Sequence, residues 1–256
     1  FWAHTIPFPQ ARTRGSKEVS AMRDEYTKHS VGDVLTYLRQ NYMTAEEVAS
    51  RAGIAVDRLN ELVQAQCVPP HSHSAQLCLT TETSISGQKE TVDSEVRYYH
   101  PDTVRYIRVA ERFSLSGHSL AEISALTKER FLREAAQALG QPLVEIEKLA
   151  EEGWEEFMSG TYGVCLKRVS AQSMVKKQHA VHRLQKLLDQ HGSKATPELI
   201  DGLRSALQDY NEVAAAFGPH EILDSSRGKF AKKAEKILSK ALSDTEVNAP
   251  QGQGAL

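Results

Sequence analysis

Met43–Pro70 reads MTAEEVASRAGIAVDRLNELVQAQCVPP, and the placement of every other segment follows from it. Thr44 can cap a helix and Glu47, three residues on, completes a capping box. Val48, Ala49 and Ala52 then form an apolar face that stops at Gly53, the turn. Beyond it Ile54 tucks under, and Leu59, Leu62 and Val63 recur at helical spacing, so a second helix is expected to pack on the first. Small side chains at the crossing leave room for a steep angle. The stretch reads as a helix-turn-helix.

Upstream, Ser30–Asn41 offers an N-cap followed by Val31, Val34, Leu35 and Leu38 at helical spacing. This helix is expected to share one core with the pair. Downstream, Pro69 and Pro70 stop the second helix, and HSHSAQLCLTTETSIS is rich in strand formers. SGQKE is a turn and TVDSEVRYYH a returning strand, so the hairpin takes the place of a wing. From Asp102 the pattern is helical to the end. Ser119 and Glu122 form a second capping box, Gly140 and Pro142 punctuate, and the SGTYGVC stretch breaks the run. A basic helix from about Arg227, capped by Asp224 or Ser225, closes the fold.

The chain of 256 residues, 40% hydrophobic and 25% charged, is long enough for two units. The expected division is 22–127 for a winged helix-turn-helix and 128–243 for a helical bundle. Residues 1–21 read as a flexible arm or vector remnant, and 244–256 as a tail too polar and Gly/Pro-rich to fold. No apolar run approaches the roughly 18 residues of a membrane span, so no membrane partner is expected. A net charge of −2 gives no global attraction to nucleic acid. Three scattered cysteines, Cys67, Cys78 and Cys165, fit a reducing, cytoplasmic setting. The fold class is mainly α.

Two resemblances carry the functional expectations. From Thr44 to Leu126 the order of elements, with Arg97-Tyr98-Tyr99 and Gly117-His118-Ser119-Leu120-Ala121-Glu122-Ile123, resembles the DNA-binding domain of MerR regulators. That resemblance implies a degenerate MerR-like winged module and a regulator that binds DNA while a helical domain senses a ligand. The segment from Pro70 to Arg97 is longer than the usual wing. The exposed side of the second helix, Asp57, Arg58, Asn60, Glu61 and Gln64, is net acidic, which opposes phosphate binding.

The second resemblance runs from Ser30 to about Leu238. VGDVLTYLRQNY, VPPHS, RYYHPDTVRYI, the Trp154–Lys167 stretch and DSSRGKF are together similar to an uncharacterised bacterial family labelled "natural product biosynthesis protein". It implies a cytosolic bacterial protein of secondary metabolism with no agreed reaction or cofactor. The leading expectation is binding of a small-molecule or carrier-linked intermediate between winged module and bundle. A docking module that has lost DNA binding is a third reading.

Candidate ligand-binding residues are Arg97, His100, Trp154, Tyr162, Cys165, Ser226 and Arg227. Tyr162 and Cys165 lie in a glycine-containing loop that lets backbone approach a ligand, and Arg227 opens the basic helix, where it can grip a carboxylate or phosphate. The plainer reading of the loop is a tight interhelical turn, with Tyr162 plugging the bundle and Cys165 as a small core residue. Cys67, His71, His73 and Cys78 supply four soft ligand atoms within a short span, yet their spacing is no standard zinc pattern, and no metal is expected. His179 and His182 sit among Lys176, Lys177 and Arg183 and read as a solvated face. No phosphate-binding glycine loop, dinucleotide fingerprint, hydrolase elbow or metalloprotease helix is present, so no reaction class is assigned.

Overall fold

The computed structural model describes residues 29–190 and 196–247; the expectations for residues 1–21 and for the tail beyond 247 fall outside them. The architecture is mainly helical with one three-stranded antiparallel sheet. Helix α1 (Val31–Asn41) is followed by β1 (Met43–Thr44), α2 (Ala45–Ala52) and α3 (Val56–Gln64). The long hairpin β2 (His73–Glu82) and β3 (Lys89–Tyr99) comes next. Then follow α4 (Thr103–Leu115), α5 (Leu120–Leu139), α6 (Leu143–Met158), the short α7 (Thr161–Cys165), α8 (Ala171–Gln190) and α9 (Pro197–Val213). A π-helical turn, Arg227–Ala231, leads into α10 (Lys232–Val247).

Both capping boxes form as their spacing requires. Thr44 Oγ1 accepts from the Glu47 amide and Glu47 Oε2 from the Thr44 amide, and Ser119 and Glu122 repeat the exchange. The chain turns at Gly53, whose φ is 80°. Val48, Leu59, Leu62 and Cys67 pack there against Tyr99, Val104, Ile107 and Ile123. This is the first core.

Helix α1 does not join it. Leu38 and Tyr42 pack with Tyr98, Val34, Tyr37, Ala75 and Val96 in a separate small cluster, because α1 lies along the base of the hairpin. Val34 and Leu38 face the cluster as their spacing suggested, but Val31 is exposed, and spacing could not say which neighbour the face meets. The bundle holds two further clusters. Phe131, Trp154, Phe157, Tyr162 and Met174 form one, and Leu184, Leu203, Tyr210 and Ala234 the other. Each large side chain buried there contributes about 1.5–3 kcal/mol relative to exposure.

Three local expectations need correction. The boundary expected at 127/128 falls inside α5, whose Ile123 belongs to the first core and whose Phe131 and Ala135 belong to the bundle. The SGTYGVC stretch is not a simple break, since Thr161–Cys165 coils into a helix of its own. The basic helix extends through Asp244–Val247, where an unfolded tail was expected, because no glycine or proline interrupts it there. Ser226 makes no side-chain cap on the π-turn, while Ser225 Oγ, one of the two expected caps, accepts from the Gly228 amide at 3.4 Å and donates to the Ile222 carbonyl.

The sheet order is β1–β3–β2, with His73 opposite Tyr98 and Glu82 opposite Lys89. β1 covers only Tyr98 and Tyr99, so the hairpin projects beyond its base as a two-stranded ribbon.

Candidate functional site

The motif segments VPPHS, RYYHPD and SGTYGVC, distant in sequence, meet at the hairpin base. The Ser72 amide donates to the Tyr98 carbonyl at 2.8 Å, which sets the first residues of β2 against the end of β3. Helix α7 then packs directly on this corner. Gly160 has φ +84°, and a Cβ there would collide with the His71 carbonyl; one on Gly163 would collide with Ser72 Oγ and come within 3.2 Å of His100 Cβ. Gly160 is therefore demanded by backbone approach, and Gly163 by the close packing of the Ser72 and His100 side chains. His100 Nδ1 accepts from the Asp102 amide at 3.0 Å, and Asp102 Oδ2 accepts from the Val169 amide at 2.8 Å. Burial pushes the His100 imidazole below its ordinary pKa, while the Asp102 carboxylate and the Leu166 carbonyl pull the other way.

A second return of the chain completes the corner. After α9 the backbone passes Leu166 in an antiparallel bridge with Ala214. Lys167 donates to the Val213 carbonyl and Ala215 to that of Cys165. Gly218–Glu221 thereby arrives beside His73. Glu221 Oε1 lies 3.5 Å from His73 Nδ1 and 3.8 Å from His220 Nε2. Gly218 donates its amide to Glu221 Oε2 at 2.9 Å. Among the described residues, His73, His220 and Glu221 form a group whose potential ligand atoms all lie within 4.8 Å of one another.

Tyrosines wall this group. The Tyr42 ring meets His73 edge-on at 4.5 Å, and the Tyr37 ring lies 6.3 Å from His73 and 6.4 Å from His220. Tyr37 Oη donates to the Ala216 carbonyl at 2.8 Å and lies 3.2 Å from Tyr42 Oη, which in turn reaches the Gly163 carbonyl at 3.3 Å. Burial, with His220 and His71 adding repulsion, pushes His73 down to about 4, so its imidazole is neutral at pH 7. Burial also raises Glu221 above the usual carboxylate range, opposed by the Gly218 amide and His220. At neutral pH the His73–Glu221 contact is thus no ion pair. Next to the group lies a cavity of about 280 Å³ between α1 and β2. Val34, Leu35, Leu38, Ala75 and Leu77 give it apolar walls, and His73 and His220 give it polar ones.

The seven sequence candidates do not share one cleft. His100 lies at the corner, and Tyr162 and Cys165 belong to the short helix α7, but both of the latter are buried in the bundle core. Trp154 lies deeper in that core, against Phe131 and Phe157. Arg97 pairs with Glu95 on the exposed part of β3. Ser226 Oγ lies 2.9 Å from Tyr210 Oη, and Arg227 sits over the Tyr210 ring and donates to Asn211 Oδ1 at 3.0 Å. These last two pin the start of the π-turn to α9.

Cys67, His71, His73 and Cys78 also part company. Cys67 is buried in the first core, with Sγ 3.3 Å from the Leu120 carbonyl, while Cys78 is exposed on the hairpin. His73 instead finds His220 and Glu221, which sequence reasoning passed over. The only available signals were the polar HSH at the start of a strand and HE after Gly-Pro, and no spacing rule joins them.

A separate groove of about 480 Å³ lies between α2 and α4, lined by Arg51, Arg105, Arg108 and Arg112. Arg105 Nη2 donates to the Val169 carbonyl at 3.1 Å and Arg108 Nη2 to the Arg51 carbonyl at 2.9 Å. On α3, by contrast, Arg58 is engaged by Glu61 and Glu111, each at 2.9 Å.

Residues 113–239 match the model of a family of unknown function, DUF6058. No curated protein and no solved structure matches the chain. No described helix is long and apolar enough to cross a membrane.

Proposed function

We propose that this protein binds a small molecule, or an intermediate tethered to a carrier, in the cavity between α1 and the hairpin base, as a cytosolic bacterial component of natural-product biosynthesis. The observation that carries the binding is the cavity: about 280 Å³, apolar on the α1 and β2 walls, with imidazoles at one side. Binding sites for small ligands combine apolar lining with a few placed polar groups in this way, and the volume suits a compact ligand or a single acyl arm. The biosynthetic setting rests on the motif resemblance, whose segments supply the corner beside it. In this reading α2, α3 and the hairpin are a degenerate MerR-like winged module used as scaffold.

The test is a thermal-shift measurement with the small-molecule fraction of a cell extract, on wild type and on Leu35→Trp, which fills the cavity from α1. Stabilisation of wild type that the variant loses supports the reading; an equal shift in both, or none in either, overturns it.

One observation favours a second reading as a DNA-binding regulator. Four arginines converge on the α2–α4 groove, and arginine supplies phosphate contacts. The acidic side of α3, with Arg58 already held by two glutamates, opposes it. Fluorescence anisotropy against the chain's own upstream DNA and a scrambled duplex, at two salt concentrations, separates them. Sequence-selective, salt-dependent binding makes the protein a regulator; no selectivity retires that role.

A further inference from the structure

We propose that His73, His220 and Glu221 form a binding site for a divalent transition-metal ion of the zinc type, with three protein ligands and at least one coordination position left for water or an exogenous donor. Three side chains from two distant segments of the chain present two imidazole nitrogens and a carboxylate oxygen within 4.8 Å of one another. In a tetrahedral zinc site with bonds of about 2.0–2.2 Å, neighbouring ligand atoms stand about 3.3–3.5 Å apart. Two edges here measure 3.5 and 3.8 Å. Small side-chain rotations close the set.

An independent observation points the same way. The His73 side chain is 9% exposed, its Nε2 is buried without a partner, and its Nδ1 lies 3.5 Å from Glu221. Nδ1, the nitrogen that faces Glu221, makes no ordinary hydrogen bond, so its lone pair is available to an ion held between the three side chains. The surroundings are also ordered as outer ligands order a metal site. The Gly218 amide holds Glu221 Oε2 and so leaves Oε1 towards both imidazoles, and the Tyr42 ring fixes the plane of His73. Gly218 itself makes room, since a Cβ there would stand 2.8 Å from both Tyr37 Cε1 and His220 Cε1.

The ligand set selects the ion class. Two imidazoles and one carboxylate suit zinc, cobalt, iron or nickel, whereas an all-oxygen set would favour calcium or magnesium. His220, 38% exposed, gives the ion a route from solvent. The inference does not depend on what occupies the neighbouring cavity.

The full chain, stripped with chelator, is titrated with Zn²⁺ against a chromogenic competitor and with Co²⁺ followed by its visible spectrum. One ion per chain is expected, with cobalt d–d bands and no thiolate-to-metal charge transfer. Glu221→Gln keeps an acceptor for the Gly218 amide but loses the anionic oxygen, and His220→Asn removes a half-exposed imidazole. Each is expected to weaken binding at least about 100-fold, beyond the usual loss from an outer-shell change. Metal should raise the melting temperature of wild type but not of Glu221→Gln, whose metal-free melt shows that it folds. His182→Asn is expected to bind the ion as wild type does, and the titration uses the metal alone, so the failure of the cavity reading would leave this result standing. Absence of stoichiometric binding, thiolate charge-transfer bands, or unchanged affinity in both ligand variants would overturn the site.

Discussion

The two ends of one hairpin live in different physical worlds. At its base His73 pairs with Tyr98 across the strands, Tyr98 and Tyr99 are buried, and α1, α4 and α7 surround the corner. At its tip Leu79 faces Val92 in the same ladder, with exposures of 62% and 53%. Thr80 Oγ1 lies 3.1 Å from Thr91 Oγ1, and Lys89 pairs with Glu82 at 3.3 Å. The backbone register is continuous from one end to the other. A two-stranded ribbon is marginal in water on its own, so the tip borrows its order from the base. Hydrogen-bonded pairing extends the hairpin; only side-chain burial turns part of it into a site.

The largest break in that comparison comes from Gly160→Ala. A residue with a Cβ must hold φ near +84° and push away the His71 carbonyl, so the approach of α7 to the hairpin base is lost. Strain and overpacking together cost about 3 kcal/mol. Chemical denaturation measures it, and a loss within about 0.5 kcal/mol would show that the base is loosely seated.

A smaller effect reports on burial at the base through pH. The folded pKa of His100 lies below its unfolded value, so the unfolded chain takes up the proton first as pH falls. The stability that neutral His100 provides is present above the unfolded value of about 6.5 and is lost as pH falls below it. His100→Asn replaces Nδ1 with an amide oxygen that still accepts from the Asp102 amide and does not titrate. The stability gap between wild type and this variant should narrow from pH 8 to pH 5; a constant gap would mean that His100 is solvated.

The smallest effect belongs to the tip. Leu79→Thr with Val92→Thr keeps strand propensity and removes exposed apolar surface, and exposed changes of this kind stay within about 0.5 kcal/mol. A melt that falls as steeply as for Gly160→Ala would erase the distinction between the two ends.

Local chemistry was legible in the sequence. Thr44 with Glu47 and Ser119 with Glu122 announce their helix starts because a capping box is written within four residues. The hairpin followed from strand formers flanking SGQKE. Tertiary choices were not legible. The stripe Val34, Leu35, Leu38 suits either core, and only the path of the hairpin sends it to Tyr98. The metal-ligand cluster escaped for the same reason, since His73 and the His220–Glu221 pair are joined by packing at Leu166–Ala214 and not by any motif. Cys67 and Cys78 attracted attention by proximity in sequence, yet one serves a core and the other faces solvent. Of the seven candidates, His100 lies at the corner of the hairpin base, while Arg97, three residues before it, pairs with Glu95 on the exposed strand.

Helix α5 has a consequence for inheritance. Its 20 residues span about 30 Å, and they carry Ile123 into one core and Phe131 into the next. The segment matching DUF6058 begins at residue 113, inside α4, and contains the whole of α5. A gene fragment cut at that point would keep the helix but strip Ile123 of Val48, Leu59 and Ile107. The unit that recombination can move intact is therefore larger than the unit that sequence similarity outlines.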